Sequence, residues 1–137
     1  MCMCSQLWGP RLWALDETAA LGLTLEPFDK GLFSYGSESA YPPDRSQVIF
    51  PSSLTVEWSN ASLDETMAFA LRQISNTIRA AALADGQDVS HAALYPNYAL
   101  FGTPLKDIYG ANVERLRQIR AAIDPECVMN LAGGWRF

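Results

Sequence analysis

The sequence predicts an α+β fold, an antiparallel sheet covered on one face by two helices. Three observations carry this expectation. Residues 20–28, ALGLTLEPF, are short, apolar and closed by Pro27, the pattern of a strand. Residues 47–50 and 54–58 alternate through Val48, Phe50, Leu54, Val56 and Trp58, with Pro51-Ser52-Ser53 as an interruption or bulge. Helical periods then follow the strands, and helices that follow several antiparallel strands pack on one sheet face.

The elements follow in order. Residues 1–19 show no strong period of either kind and read as an irregular start, as of a chain that begins inside something larger. Residues 20–137 read as a single domain. From Asp29 to Arg45 the chain is loop-like, and Pro42-Pro43 favours an extended segment bounded by turns. Ser62-Leu63-Asp64-Glu65 has the form of a capping box. Leu63, Met67, Ala70, Leu71, Ile74, Ile78, Ala81 and Ala82 then recur at helical spacing until Asp85-Gly86 ends the helix. Ala92 to Leu94 is a further short strand. A second helix is expected over 108–123, with Val113, Leu116, Arg120 and Ile123 on one side and Asp124-Pro125 as its stop. Short terminal segments joined by Gly133-Gly134 complete the chain.

At 137 residues, 49% apolar and 18% charged, the chain has the material for a core, which excludes a disordered or collagen-like polymer. Ten Lys and Arg against 15 Asp and Glu give a net charge of −5 with no basic stripe, so no nucleic-acid partner is expected. Uncharged runs are too interrupted for a transmembrane helix, and no membrane partner is expected. Three cysteines without repeated spacing and a single histidine, His91, argue against a disulfide framework and a His-rich metal site. No basic and apolar leader opens the sequence. The compartment stays open: cytoplasmic for a complete protein, secreted as an option for a fragment.

The densest polar-aromatic cluster is Tyr95-Pro96-Asn97-Tyr98. A tyrosine serves as general acid or base when its neighbours tune it, and an adjacent carboxamide orients a carbonyl or a cofactor edge. The plain alternative is a turn whose two tyrosines pack through their rings. His91 is either an acid–base group or a solvated loop residue. Tyr109-Gly110-Ala111-Asn112 reads as a helix-entry turn. Asn60-Ala61-Ser62 is a glycosylation sequon, with Ser62 better explained as a cap. Arg115, Arg117 and Arg120 read as a solvated helix face. Phosphate-binding, dinucleotide, nucleophile-elbow and zinc-protease motifs are all missing from the sequence.

The last forty-odd residues carry a resemblance. Tyr95-x-Asn97-Tyr98, Tyr109-Gly110-x-Asn112, Arg115-Leu116, Asp124-Pro125 and Gly133-Gly134 occur in the order typical of the C-terminal region of berberine-bridge-enzyme-like FAD-linked oxidases, most closely fungal ones. Upstream, Leu25-Glu26-Pro27-Phe28, the Gly/Ser/Tyr loop and the strand ending in Glu57-Trp58 are similar to the family's substrate-domain sheet. The resemblance spans roughly residues 20–137.

This resemblance implies the fold of the C-terminal part of that substrate domain. It implies that Tyr95 lies near the flavin and deprotonates a substrate hydroxyl, that Asn97 contacts the isoalloxazine, and that Tyr98 supports the turn. In the family the flavin sits mainly in an N-terminal domain with covalent His and Cys attachments, a region this sequence does not include. FAD therefore belongs to the full-length family, and none is expected for this chain alone. The sheet should be incomplete, with an edge or face completed by the FAD-bearing part or by a homodimer.

Three functions stay open from sequence. The first is a truncated or partial FAD-linked oxidoreductase acting on a small molecule in fungal secondary metabolism. The second is a stand-alone, flavin-independent isomerase or cyclase, for example a pericyclase, using Tyr95, Asn97, Tyr98 and His91 by hydrogen bonding or proton transfer. The third is a non-catalytic binding remnant.

Overall fold

Apolar alternation in two short segments produces the only ladder among the described residues of the computed structural model, which are 3–29, 31–36, 38–45 and 50–137. Strand β1 (Ala20–Leu25) pairs antiparallel with β2 (Ser52–Glu57), in a register that sets Leu21 opposite Val56 and Leu23 opposite Leu54. Side chains alternate across a pleat. The leucines of β1 therefore share one face with Leu54 and Val56, while Gly22, Thr24, Ser53 and Thr55 share the other. The expected interruption at Pro51-Ser52-Ser53 is not a break: Ser52 and Ser53 are in the ladder, and Glu26 N donates to Pro51 O at 3.0 Å just beyond it. Gln47, Val48 and Ile49, expected in this strand, lie outside the described residues.

The chain falls into two compact units. The first comprises residues up to Pro27 together with Phe50–His91. It contains the sheet and two helices, α1 (Met3–Leu15) and α2 (Asp64–Ala84). Both helices pack with the sheet: Leu12, Ala19, Val56, Met67 and Ala70 form the buried cluster, and Trp8, Leu21, Trp58, Leu63 and Leu71 close around it. Met67 and Ile74 are fully buried. Each such side chain contributes about 1.5–3 kcal/mol by leaving water.

Helix α1 occupies the start that the sequence left without a period. Its apolar spacing is weak, and Pro10 stands inside it, a residue that argues against a helix interior. Tertiary packing of Leu12 and Trp8 supplies what local preference does not.

Helix α2 runs as its apolar spacing dictates, but its entrance differs from a Ser62 capping box. Asn60 accepts from Ser62 N at 3.0 Å and from Ser62 Oγ at 2.8 Å, and a 3-10 turn over Ala61–Leu63 leads into the helix. The sequon asparagine is the cap. Asp64 and Glu65 complement the positive end of the helix dipole, and Asp64 also accepts from Trp58 Nε1 at 2.8 Å. Gly86, at φ +85°, ends the helix as expected.

The second unit comprises Phe28–Ile49 in its described part and Ala92–Phe137. The helix expected over 108–123 is two helices, α3 (Leu105–Tyr109) and α4 (Asn112–Ile123), separated at Gly110. Gly110 adopts φ 54° and ψ −130°, which an L side chain does not accept without strain. Ile108 and Tyr109 are buried, and the Tyr109 ring meets Phe137 at 5.1 Å. The strand expected at Ala92–Leu94 does not form; Leu94 N donates singly to Asp107 O at 2.8 Å. Asp124 ends α4 and accepts from Val128 N and Met129 N, at 2.7 and 3.0 Å. The architecture is thus α+β, with a two-stranded antiparallel sheet and four α-helices among the described residues.

Candidate functional site

Tyr95-Pro96-Asn97-Tyr98 closes on itself as a turn. Tyr95 O accepts from Tyr98 N at 3.0 Å and from Ala99 N at 3.1 Å. Proline's fixed φ suits the second position of such a turn. The closure brings the Tyr95 and Tyr98 rings edge to face at 5.1 Å. It also lets Asn97 Nδ2 donate to the Tyr95 hydroxyl at 3.1 Å. Because that hydroxyl accepts from Asn97, its own proton is left for a different acceptor.

Behind this turn lies a row of rings that sequence reading missed. Phe28, Phe33, Tyr41 and Tyr95 follow one another edge to face, at 6.3, 6.4 and 5.8 Å. Contacts of this kind are each worth about 0.5–1.5 kcal/mol beyond burial. Tyr41 donates to Ala93 O at 3.3 Å. Burial, then the neighbouring Tyr95, push the Tyr41 phenol above its ordinary pKa. The loop holding Tyr41 is fastened by Arg45, which donates to Phe33 O and Tyr35 O, and by Asn112, which donates to Ser39 O and Ala40 O at 3.1 Å each. Asn112, expected at a helix entry, thus opens α4 while its side chain serves the loop. The one sequence signal for Tyr41 is its place before Pro42-Pro43, which fixes an extended backbone but not a ring contact.

The expected site residues belong to both units, His91 to the first and Tyr95, Asn97 and Tyr98 to the second. Tyr95, Asn97 and Tyr98 are together, with Asn97 and Tyr98 open to solvent and Phe101 beyond them 93% exposed. His91 lies exposed in a turn that ends the first unit. The arginines of α4 are only partly a solvated face. Arg115 pairs with Glu38 at 3.0 Å and Arg117 lies 3.9 Å from Glu114, both exposed. Arg120 instead turns inward and donates to Cys127 Sγ at 3.0 Å.

A cleft of about 510 Å³ opens between the loop and α4, lined by Arg45, Pro43, Asn112, Arg115, Leu116 and Ile119 among others. Its polar groups are already engaged within the protein. Among the described residues no group of three metal-ligating side chains occurs, and no helix is long and apolar enough to cross a membrane. No family model, curated protein or solved structure matches this chain.

Proposed function

We propose that this chain carries the C-terminal part of the substrate domain of a berberine-bridge-enzyme-like FAD-linked oxidase of the fungal type, acting on a small natural-product intermediate. The observation that supports it best is the Tyr95–Asn97 pair, a phenol held by a carboxamide on an open aromatic turn. Beside it stands the ordered set of tail motifs.

The donor set fits one edge of a flavin but not retention of the whole cofactor. Tyr95, Asn97 and Tyr98 offer a phenol, a carboxamide and a ring on one exposed turn. The described residues show no built cradle for a pyrophosphate. In this reading the chain contributes to a flavin site whose main part lies elsewhere. The bound flavin would supply the hydride acceptor. The chain's own residues would orient the substrate: the Tyr95 oxygen would sit at the substrate hydroxyl and, as the phenolate, accept its proton to become the phenol, Asn97 would hold that oxygen by donating to it, and the Tyr98 ring would fix the turn.

The deciding measurement is the intact mass and visible absorbance of the product purified from its native source through a C-terminal tag. A product heavier than 15.1 kDa with bound flavin colour is the expected result. A colourless product at 15.1 kDa overturns the oxidase reading.

A second reading, a flavin-independent isomerase or cyclase, is favoured by one observation. The Tyr95–Asn97 pair is assembled from this chain alone. In that reading Tyr95 acts as a hydrogen-bond donor or proton shuttle to a substrate oxygen. Unchanged turnover of the natural substrate by Tyr95→Phe would rule it out.

A further inference from the structure

We infer that the free edge of β1 is a self-pairing surface, and that its occupant is the β1 strand of a second copy of this chain. The inference rests on the strand and not on the flavin reading. Glu26 N donates to Pro51 O, and hydrogen-bonded pairs alternate along an antiparallel ladder. The residues of β1 bonded to β2 are therefore Ala20, Gly22 and Thr24. Leu21, Leu23 and Leu25 turn their N–H and C=O groups the other way, to the open edge. Among the described residues nothing bonds to them there.

This open run is bounded at both ends. Ala19 has its N–H on Asp16 O at 2.9 Å, and its C=O accepts from the Trp13 indole. Pro27 has no N–H to give. The unspent groups thus run from Leu21 to Leu25, with Leu23 at the centre. An antiparallel partner of the same sequence satisfies them when Leu23 faces its own copy and Leu21 faces Leu25 of the other. Each facing pair exchanges both bonds.

Side chains agree with that register. Leu21 is half-buried by the core, whereas Leu23 is 38% and Leu25 64% exposed on the same face. Pairing sets each exposed Leu25 beside the copy's Leu21, so the apolar face continues across the two-fold axis. None of the devices that protect an edge is present in β1: no charge, no proline and no bulge interrupts ALGLTL. Strand β2 differs in carrying a charge within it, Glu57.

The test is the mass of the 137-residue chain in solution by light scattering across a dilution series. A mass of twice 15.1 kDa is expected, dissociating on dilution. Leu23→Lys and Leu23→Glu should each give 15.1 kDa, because like charges then face each other at the axis. Mixing the two variants should restore the dimer, since residue 23 meets its own copy. Far-UV circular dichroism checks that both stay helical; should either unfold, Leu25→Pro, which deletes one outward N–H at the strand end, replaces them and should also be monomeric. A wild-type chain monomeric throughout overturns the inference, as does a dimer that the variants leave intact. Failure of folded variants to pair on mixing overturns the register.

Discussion

The Asp16 carboxylate accepts the backbone N–H of Ser59 at 2.9 Å, fastening the end of α1 to the turn that leads into α2. The same side chain accepts from Asn60 N at 3.2 Å, Thr18 N at 2.8 Å and Thr18 Oγ1 at 2.6 Å. One ionised group thereby satisfies backbone donors from two separate stretches of chain. It stands next to Asn60, which caps the following turn, so the entry to α2 depends on both.

These bonds, with Thr18 Oγ1 foremost and Ser59 N next, hold the Asp16 carboxyl far below the ordinary aspartate range. In the unfolded chain the same group titrates near about 3.9. The folded value is the lower one, so the stabilisation is fully present above the unfolded value. It is lost as pH falls from there through the folded value. Asp16→Asn should therefore unfold at lower urea than the wild type at neutral pH, and the gap between them should narrow on acidification. A gap independent of pH would show that packing, not ionisation, carries the contact.

What the sequence made legible follows from how local each cause is. Helix α2 was readable because Met67, Ala70 and Ile74 fall on one face at helical spacing, and all three are buried. Helix α1 was not, because Leu12 and Trp8 matter only once α2 and the sheet exist to receive them. The break at Gly110 was half legible: residues 109–112 read as a helix-entry turn, but a glycine inside a helical period is commonly tolerated, so the helix was also expected to run from 108. At the candidate site, Tyr95, Asn97 and Tyr98 stood out because two residues of separation suffice to bring them together. Tyr41 did not, since its ring reaches Tyr95 from a loop remote in sequence. Its partnership is a tertiary fact with no local signature.

Gly110→Ala should destabilise the chain through its backbone alone. At Gly110 the backbone lies at φ 54° and ψ −130°, and an added Cβ would sit 3.5 Å from Pro42 Cγ, an ordinary contact. The penalty there is dihedral, about 1–3 kcal/mol. Urea unfolding of Gly110→Ala should therefore shift to a lower midpoint. An unchanged midpoint would contradict the break between α3 and α4.

The packed phenols of Tyr41 and Tyr109 give the last prediction. Burial raises the pKa of Tyr41 and of Tyr109, and Tyr95 adds to the effect on Tyr41. An unfolded tyrosine ionises near about 10. With the folded value the higher of the two, the unfolded chain releases its proton first as pH rises. Stability is then complete below the unfolded value and declines as pH climbs through it towards the folded one. An ultraviolet titration of the folded protein should contain late-ionising steps, and Tyr41→Phe should remove one of them while leaving that of Tyr109. The variant also loses the bond to Ala93 O, worth about 0.5–1.5 kcal/mol, so its neutral-pH stability should fall slightly while its alkaline decline becomes shallower. If the step lost with Tyr41 were one in the ordinary range, the ring would not be packed between Phe33 and Tyr95. The support behind the Tyr95–Asn97 pair would then be gone.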